Sequence, residues 1–327
     1  MPKPGKRVLL TGATGFVGSH LHPVLVRAGY EVCGATRNPA KARRRKPQFE
    51  FCQLEMSDPK SIAAALAGRD AAIYLVHGMA ESESEQDYEA AEQRMAANFL
   101  AAAEQAGVTR IVYLGGVRPA GRPSKHLRSR LATGETLRSG SVSTIELQAG
   151  MIIGRGSQSW RIVRDLSMRL PVMVLPRWLR HRSQPIAIED VSAALRLAVD
   201  LDLSGSAVYP LPGPETLSAR EILERVARLR NICPRVVEVP VVTPRLSSYW
   251  IALVTRADRH LAAELVEGLT SDLVAKDEGF WALAPEHELV PFDVAAERAL
   301  AAENRELSIV ARASERIIQV LARPSRH

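Results

Sequence analysis

The stretch from Val8 to Gly18, VLLTGATGFVG, constrains the fold more than any other part of the chain. A short apolar run, Val8 to Leu10, reads as a buried parallel strand. It stops at Thr11-Gly12, and glycines recur at Gly15 and Gly18. Beyond them Val17, Leu21, Val24, Leu25 and Ala28 return at helical spacing, so the order is strand, glycine turn, helix. Pro23 falls inside this helix, where it removes one hydrogen bond and bends the last turns before Gly29.

Each glycine has a physical reason. Gly12 lets the chain leave the strand without a Cβ clash, Gly15 lets the backbone approach a ligand closely, and Gly18 lets the helix lie near the sheet. Such a helix directs unpaired N–H groups and its positive dipole end at one point, which suits a pyrophosphate. The alternative is a tight connection that holds no ligand. TGATGFVG resembles the fingerprint of the extended and atypical branches of the short-chain dehydrogenase/reductase superfamily. That resemblance implies an α/β fold, a doubly wound parallel sheet of Rossmann type, binding NAD(P) through Thr11, Gly12, Thr14, Gly15, Phe16, Val17 and Gly18.

A chain of 327 residues with 46% hydrophobic content can bury a sizeable core. Cys33, Cys52 and Cys233 are widely spaced and form no Cys-x-x-Cys pair, so neither a disulfide framework nor a metal site is expected, and a cytoplasmic home fits. The start MPKPGKR runs directly into the first strand without a signal region. No run reaches the roughly 18 apolar residues of a membrane span. The net charge of +7 is an arginine surplus spread along the chain, without a nucleic-acid module, so the expected partner is a small molecule.

The second strand reads Glu31 to Thr36. Where a NAD-selective fold carries an acid on the ribose 2′-hydroxyl, this chain has Thr36-Arg37-Asn38. A guanidinium there pairs with a 2′-phosphate, which favours NADP(H) over NAD(H) with Arg37 as the contact. Lys41 and Arg43 to Lys46 follow, with Arg44 to Lys46 read as a solvated loop face. The third strand is Phe49 to Leu54, after which Asp58 caps a helix that has Pro59 in its first turn. The resemblance places Glu55 and Met56 against the adenine, with Glu standing where the family has Asp.

Ala71 to Val76 is the fourth strand and His77-Gly78 follows it, which places Val76, His77 and Gly78 near the nicotinamide ribose. A structural histidine is the equal alternative. The acidic entry ESESEQDYE leads into a helix through Ala106, and Arg110 to Leu114 is the fifth strand, ending in Gly115-Gly116. The standard superfamily has Ser or Thr after this strand and Tyr-x-x-x-Lys at the head of the next helix, where Tyr donates the proton and Lys lowers its pKa. Here the serine position falls on Gly115-Gly116, His126 stands at the Tyr position and Arg130 at the Lys position. His126 can act as a general acid near neutral pH, and Arg130 can grip a ribose or phosphate. The GRPSK segment ahead of His126 favours the competing reading of a solvent loop. His77 and Tyr88 are the other candidate donors.

Thr144 to Gly150 is the sixth strand, and GMIIGRGSQSW resembles the loop that leads to the substrate pocket in extended members. A helix from Trp160 to Met168 and an apolar, proline-bounded loop follow, and Asp190 is read as a helix cap. Ser206 to Leu211 is a strand, Ser218 and Glu221 form a capping box, and Val236 to Val239 is a further strand. A helix over Pro244 to Val254 groups Leu246, Tyr249, Trp250 and Leu253 on one face, which suits core or lid, with peripheral membrane contact as the minority reading. A second helix is expected from Ala257 to Gly268, and RPSRH reads as a disordered tail.

The expected division is a Rossmann domain over 1–212, with a substrate loop at 156–184, and a smaller α-rich substrate-facing part over 213–327. Arg118, Arg122, Lys125, Arg128, Arg155 and Arg177 would line the pocket mouth and select an anionic substrate. The functions weighed are an NADP(H)-dependent oxidoreductase, a non-catalytic NADP(H) sensor or assembly factor, and, last, a nucleotide-sugar epimerase.

Overall fold

A computed structural model describes residues 5–76, 85–119, 121, 123–169, 172–232, 235–239, 271–275 and 278–306. Its centre is a seven-stranded sheet, parallel throughout. The strands are β1 (Arg7–Leu10), β2 (Glu31–Thr36), β3 (Glu50–Gln53), β4 (Ala71–Tyr74), β5 (Arg110–Gly116), β6 (Ser143–Ala149) and β11 (Ala207–Leu211). The order across the sheet is β11-β6-β5-β4-β1-β2-β3. The chain winds outward from β1 to β3 and then returns to the other side of β1, so the switch point lies between β1 and β4.

The helices are α1 (Phe16–Arg27), α2 (Pro39–Arg45), α3 (Pro59–Leu66), α4 (Glu85–Gln105), α5 (Lys125–Arg138), α6 (Gln158–Arg169), α7 (Ile188–Asp200), α8 (Ala219–Arg228) and α9 (Phe292–Glu306). Local chemistry sets several of their starts. Asn38 accepts from the Lys41 amide at 2.9 Å ahead of Pro39, and Asp58 accepts from Lys60 at 2.9 Å ahead of Pro59. Ser218 and Glu221 close the capping box read from the sequence. Gly29 and Gly107, at φ of +90° and +70°, end α1 and α4.

Two apolar layers cover the sheet. One joins Val8, Leu10, Ile73, Val112 and Ile145 to α1 and α7, and the other joins Leu9, Tyr74, Ile111 and Tyr113 to α3 and α4. A third cluster, around Trp160, Ile222, Val226 and Phe292, packs α6, α8 and α9 together. Burial of this kind contributes about 25 cal/mol per Å² of apolar surface, which is why alternate residues of every central strand are fixed in place.

The apolar stretch after α6, expected as a loop, contains three short strands, β8 (Val172–Pro176), β9 (Arg182–Ser183) and β10 (Ile186–Ala187), and β7 (Ile152–Ile153) precedes α6. β8 pairs with β13 (Arg235–Val239), β9 with β12 (Leu217–Ser218) and β10 with β7. The partners are distant in sequence, so local reading missed the pairing. Lys41 to Arg45 belongs to α2 and not to a loop. The expected helices over 244–254 and 257–268, and the tail, lie outside the described residues. Among the described residues no helix is long and apolar enough to cross a membrane.

Candidate functional site

The switch point is fastened by Thr11, which is wholly buried. Its hydroxyl donates to the Ile73 carbonyl at 3.1 Å and accepts from the Leu75 amide at 2.9 Å, tying the end of β1 to that of β4. Gly12 follows at φ +63°, and a Cβ there would lie 2.9 Å from the Leu75 carbonyl oxygen. The Gly15 amide donates to the Gly12 carbonyl at 2.9 Å, and a Cβ on Gly18 would overlap that same oxygen. The turn is therefore closed on itself and pressed against the first turn of α1.

The start of α1 differs from that of α2, α3 and α8. Gly15 supplies no side-chain cap, and the first turn contains no acid. The first helical bond is from the Ser19 amide to the Gly15 carbonyl at 2.9 Å, so the amides of Phe16, Val17 and Gly18 precede it. Helix α7 also begins without a side-chain cap but carries Glu189 and Asp190 in its first turn. At α1 the positive dipole end faces outward beside exposed Thr14 and Gly15. Phe16 is half-buried and would lie 3.2 Å from a Cβ on Gly154, so the segment after β6 flanks this turn.

At the end of β2, Arg37 is exposed and Asn38 is committed to capping α2. No Asp or Glu occurs between Gly34 and Lys46. Arg43 donates to the Phe51 carbonyl at 2.6 Å, and Lys46 to the Ser19 carbonyl at 3.4 Å, so neither belongs to a solvated loop. Burial, with the nearby Arg155 charge second, pulls the Lys46 ammonium below its ordinary pKa. Beyond β3, Glu55 is exposed and accepts from the Ser57 hydroxyl at 3.1 Å. Met56 is buried in the layer containing Leu9 and Tyr74, and Val76 is packed against it. His77, Gly78 and the Tyr88 side chain lie outside the described residues.

On the other side of the switch point, α5 lies along β5. His126 sits half-buried in the first turn of α5, behind the Ser124 cap, which corrects the solvent-loop reading. The hydroxyl of Ser124 accepts from the Leu127 amide at 3.3 Å, and that bond starts the helix where sequence suggested a loop. A Cβ on Gly116 would meet Leu127 at 2.6 Å, so this first turn covers the end of β5. Arg130 is half-buried on the same helix, and its carbonyl accepts from the Tyr113 hydroxyl at 2.9 Å. Burial pushes the Tyr113 hydroxyl well above its usual pKa, which makes it a poor proton donor.

Sequence reasoning missed Glu146. It is fully buried in β6, where Arg138 donates to one oxygen at 2.9 Å and Gln148 to the other at 2.8 Å. A Cβ on Gly115 would lie 2.9 Å from this carboxylate, and one on Gly134 would overlap it. Glycine at position 115 is thus explained by the acid packed against it. The available signal was a glutamate inside the apolar strand TIELQ.

The proposed ring of anion-gripping arginines is partly spent on carboxylates. Arg118 pairs with Glu135 at 3.2 Å and Arg128 with Glu89 at 3.1 Å. Arg155 is exposed and Lys125 half-buried, while Arg122 and the Arg177 side chain lie outside the described residues. Asp190 is not a cap: Ala187 holds that position. The Asp190 carboxylate, 1% exposed, accepts from His287 Nε2 at 2.9 Å and from the Val290 amide at 3.1 Å. His287 stacks on Trp281 with ring centroids 4.8 Å apart. Burial pushes the Asp190 carboxyl above its usual range, against the pull of those two donors.

Comparison with known proteins agrees with this geometry. Residues 12–164 match a family model described as NAD(P)H-binding. Cinnamoyl-CoA reductase 1 of Petunia hybrida is 29% identical over 121 residues, covering 35% of this chain and 36% of that protein. Dihydroflavonol 4-reductase of Hordeum vulgare is 37% identical over 70 residues, covering 19% and 20%. The chain therefore matches about a third and a fifth of the length of these curated relatives. Among solved structures, a Citrobacter sp. triphenylmethane reductase complexed with NADP(H) superposes with a TM-score of 0.71 at 16% identity, covering 90% of this chain and 99% of that one. A nucleoside-diphosphate-sugar epimerase from Staphylococcus aureus gives 0.69 at 16% identity, covering 89% and 99%. The Bordetella bronchiseptica enzyme WbmH in complex with NAD+ gives 0.65 at 17%, covering 93% and 99%. Residues 12–164 thus match an NAD(P)H-binding family model, and the chain has the Rossmann-like fold of these solved structures.

Proposed function

We propose that this chain is an NADP(H)-dependent oxidoreductase acting on a small molecule. The observation that carries the reading is the start of α1, where a closed glycine turn leads into amides with no capping side chain and no acid. Thr11, Gly12, Thr14, Gly15, Phe16, Val17 and Gly18 would cradle the diphosphate, with Thr11 acting through the β1–β4 tie. Arg37 would pair with a 2′-phosphate, since no carboxylate in its neighbourhood in sequence repels one. Glu55 and Met56 would border the adenine, and Val76, His77, Gly78 and Arg130 the nicotinamide ribose. The nicotinamide supplies hydride chemistry when bound.

His126 and Arg130, on the helix that covers the end of β5, are the residues proposed to meet the reacting end, with His77 as the other candidate proton donor. Residues 1–212 would form the nucleotide-binding domain and 213–327 the substrate-facing part. The curated relatives are reductases by name, and one structural neighbour is a reductase holding NADP(H), which supports the reduction direction. Titrating NADPH and NADH separately while following nicotinamide fluorescence tests the reading. Binding of NADPH with at least tenfold preference supports it, and binding of neither nucleotide removes it.

A second reading, a non-catalytic NADP(H) sensor, is favoured by one observation. Glu146 fills the space that a side chain at position 115 would need, so the serine of the standard reaction has no room there. Oxidation of bound NADPH by any member of a carbonyl and enone panel decides for the enzyme. Tight binding without oxidation by every member decides for the sensor.

A further inference from the structure

The last two strands of the sheet carry a thiol pair that the nucleotide chemistry does not use. β2 and β3 are parallel, with Cys33 opposite Glu50 and Ala35 opposite Cys52. Partners in a parallel pair point to the same side, so Cys33 and Cys52 are diagonal neighbours on one face. Cys33 is 4% exposed beside Leu9, Ile62 and Leu66, and Cys52 is half-buried at the rim of the same layer. Each thiol acts directly on the ionisation of the other.

Two guanidinium groups surround the pair. Arg43 is anchored on the Phe51 carbonyl at 2.6 Å, next in sequence to Cys52. Arg69 acts on both sulfurs, and its Nε is buried without a hydrogen-bond partner among the described residues. Glu50 and burial oppose the thiolate, but the Cys52 thiol outweighs them and draws the Cys33 thiol below its ordinary pKa. Cys33 and burial push Cys52 up. A thiolate beside a retained thiol, with positive charge at hand, is the arrangement in which one sulfur attacks and the other resolves.

We propose that Cys33 and Cys52 form an oxidation site that a hydroperoxide converts to an intrachain disulfide. In the first step the Cys33 thiolate attacks the peroxide oxygen and breaks the O–O bond. Cys33 becomes a sulfenic acid and hydroxide leaves. In the second step Cys52 sulfur, losing its proton, displaces the sulfenic oxygen, which departs as water as the S–S bond forms. The peroxide takes both electrons.

The register makes this closure move the backbone. A two-residue offset on neighbouring strands puts the Cα atoms about 8 Å apart, from strand spacing and rise. A disulfide spans at most about 7 Å. Among the described residues β3 is a four-residue edge strand paired to β2 alone, so it is the element that shifts. The proposal does not depend on the function proposed above.

The test uses the Cys233→Ser protein, so that only this pair can react. Micromolar hydrogen peroxide followed by alkylation should give a monomer two mass units lighter that takes up no alkylating agent, and dithiothreitol should restore both thiols. Cys52→Ser should instead trap a dimedone adduct on Cys33. Arg69→Met, which keeps both sulfurs, should slow oxidation several-fold. Full alkylation of both thiols after peroxide overturns the proposal. So does a bond between two chains, or unchanged oxidation of Cys52 in Cys33→Ser.

Discussion

The ammonium of Lys46 donates to the Ser19 carbonyl at 3.4 Å, and Ser19 is the residue whose helical donor would have been position 23. Pro23 has no N–H, so the gap it leaves in α1 is met by a side chain arriving from the end of α2. Lys46→Met should therefore destabilise the fold by about 1 kcal/mol, the net worth of one hydrogen bond. In a Pro23→Ala background the helix supplies its own donor, and the same change should cost less than half as much. Urea denaturation of the four proteins checks this as a double-mutant cycle. Equal costs in the two backgrounds would separate Lys46 from Pro23.

Buried Glu146 predicts a second coupling. Gly134→Ala should destabilise by about 1 to 3 kcal/mol, because the added methyl overlaps a carboxylate already held by Arg138 and Gln148. With Glu146→Ala in place the methyl has room, and the additional cost should fall below about 0.5 kcal/mol. Thermal or urea unfolding reads both values.

His22 gives the acid sensitivity. It is wholly buried, stacked 4.2 Å from Phe49, and neither ring nitrogen has a hydrogen-bond partner among the described residues. Burial, with Lys46 second, lowers its pKa from 6.5 to about 4. The unfolded chain therefore takes up a proton near pH 6.5 that the folded chain refuses until about pH 4. Stability from this group is complete above pH 6.5 and declines as pH falls towards 4, by on the order of 3 kcal/mol. His22→Leu should flatten that slope while leaving stability at neutral pH equal or higher, since it also removes unsatisfied polar atoms. Urea midpoints between pH 4 and 8 show the difference.

Arg37 is the proposed selector of the phosphorylated dinucleotide. Arg37→Asp should weaken NADPH at least tenfold, the loss of one charge-assisted contact, and leave NADH within about twofold. The NADPH affinity of the unaltered protein should also fall more steeply with salt. An unchanged ratio of the two affinities would move the selectivity elsewhere.

Asp190 joins α7 to the segment leading into α9. Asp190→Ala should cost about 3 kcal/mol, because the Val290 amide and His287 lose their shared acceptor in a buried place. Asp190→Asn keeps an acceptor and should cost less. Unfolding in urea ranks the two.

Much of the sheet was legible because its signals are local. The run Val8 to Leu10, the glycine turn, Glu31 to Thr36 and the caps Asp58 and Ser218 depend on neighbours within a few residues. The same locality misled at Lys46, read with Arg44 and Arg45 as a solvated loop face. Lys46 is in fact held by a carbonyl of α1. It misled again at Asp190, an acid in the first turn of a helix that resembles a cap until the partner approaches from residue 287.

By itself, then, the sequence determined that a strand, a glycine turn and a helix stand at the head of a parallel α/β sheet, since each depends on backbone freedom and short-range periodicity. Only the tertiary structure decided that Glu146 occupies the space beside Gly115, that His126 lies in a helix, and that Cys33 meets Cys52. Those relationships form between segments far apart along the chain, where strand register and packing, not spacing in sequence, set which side chains meet.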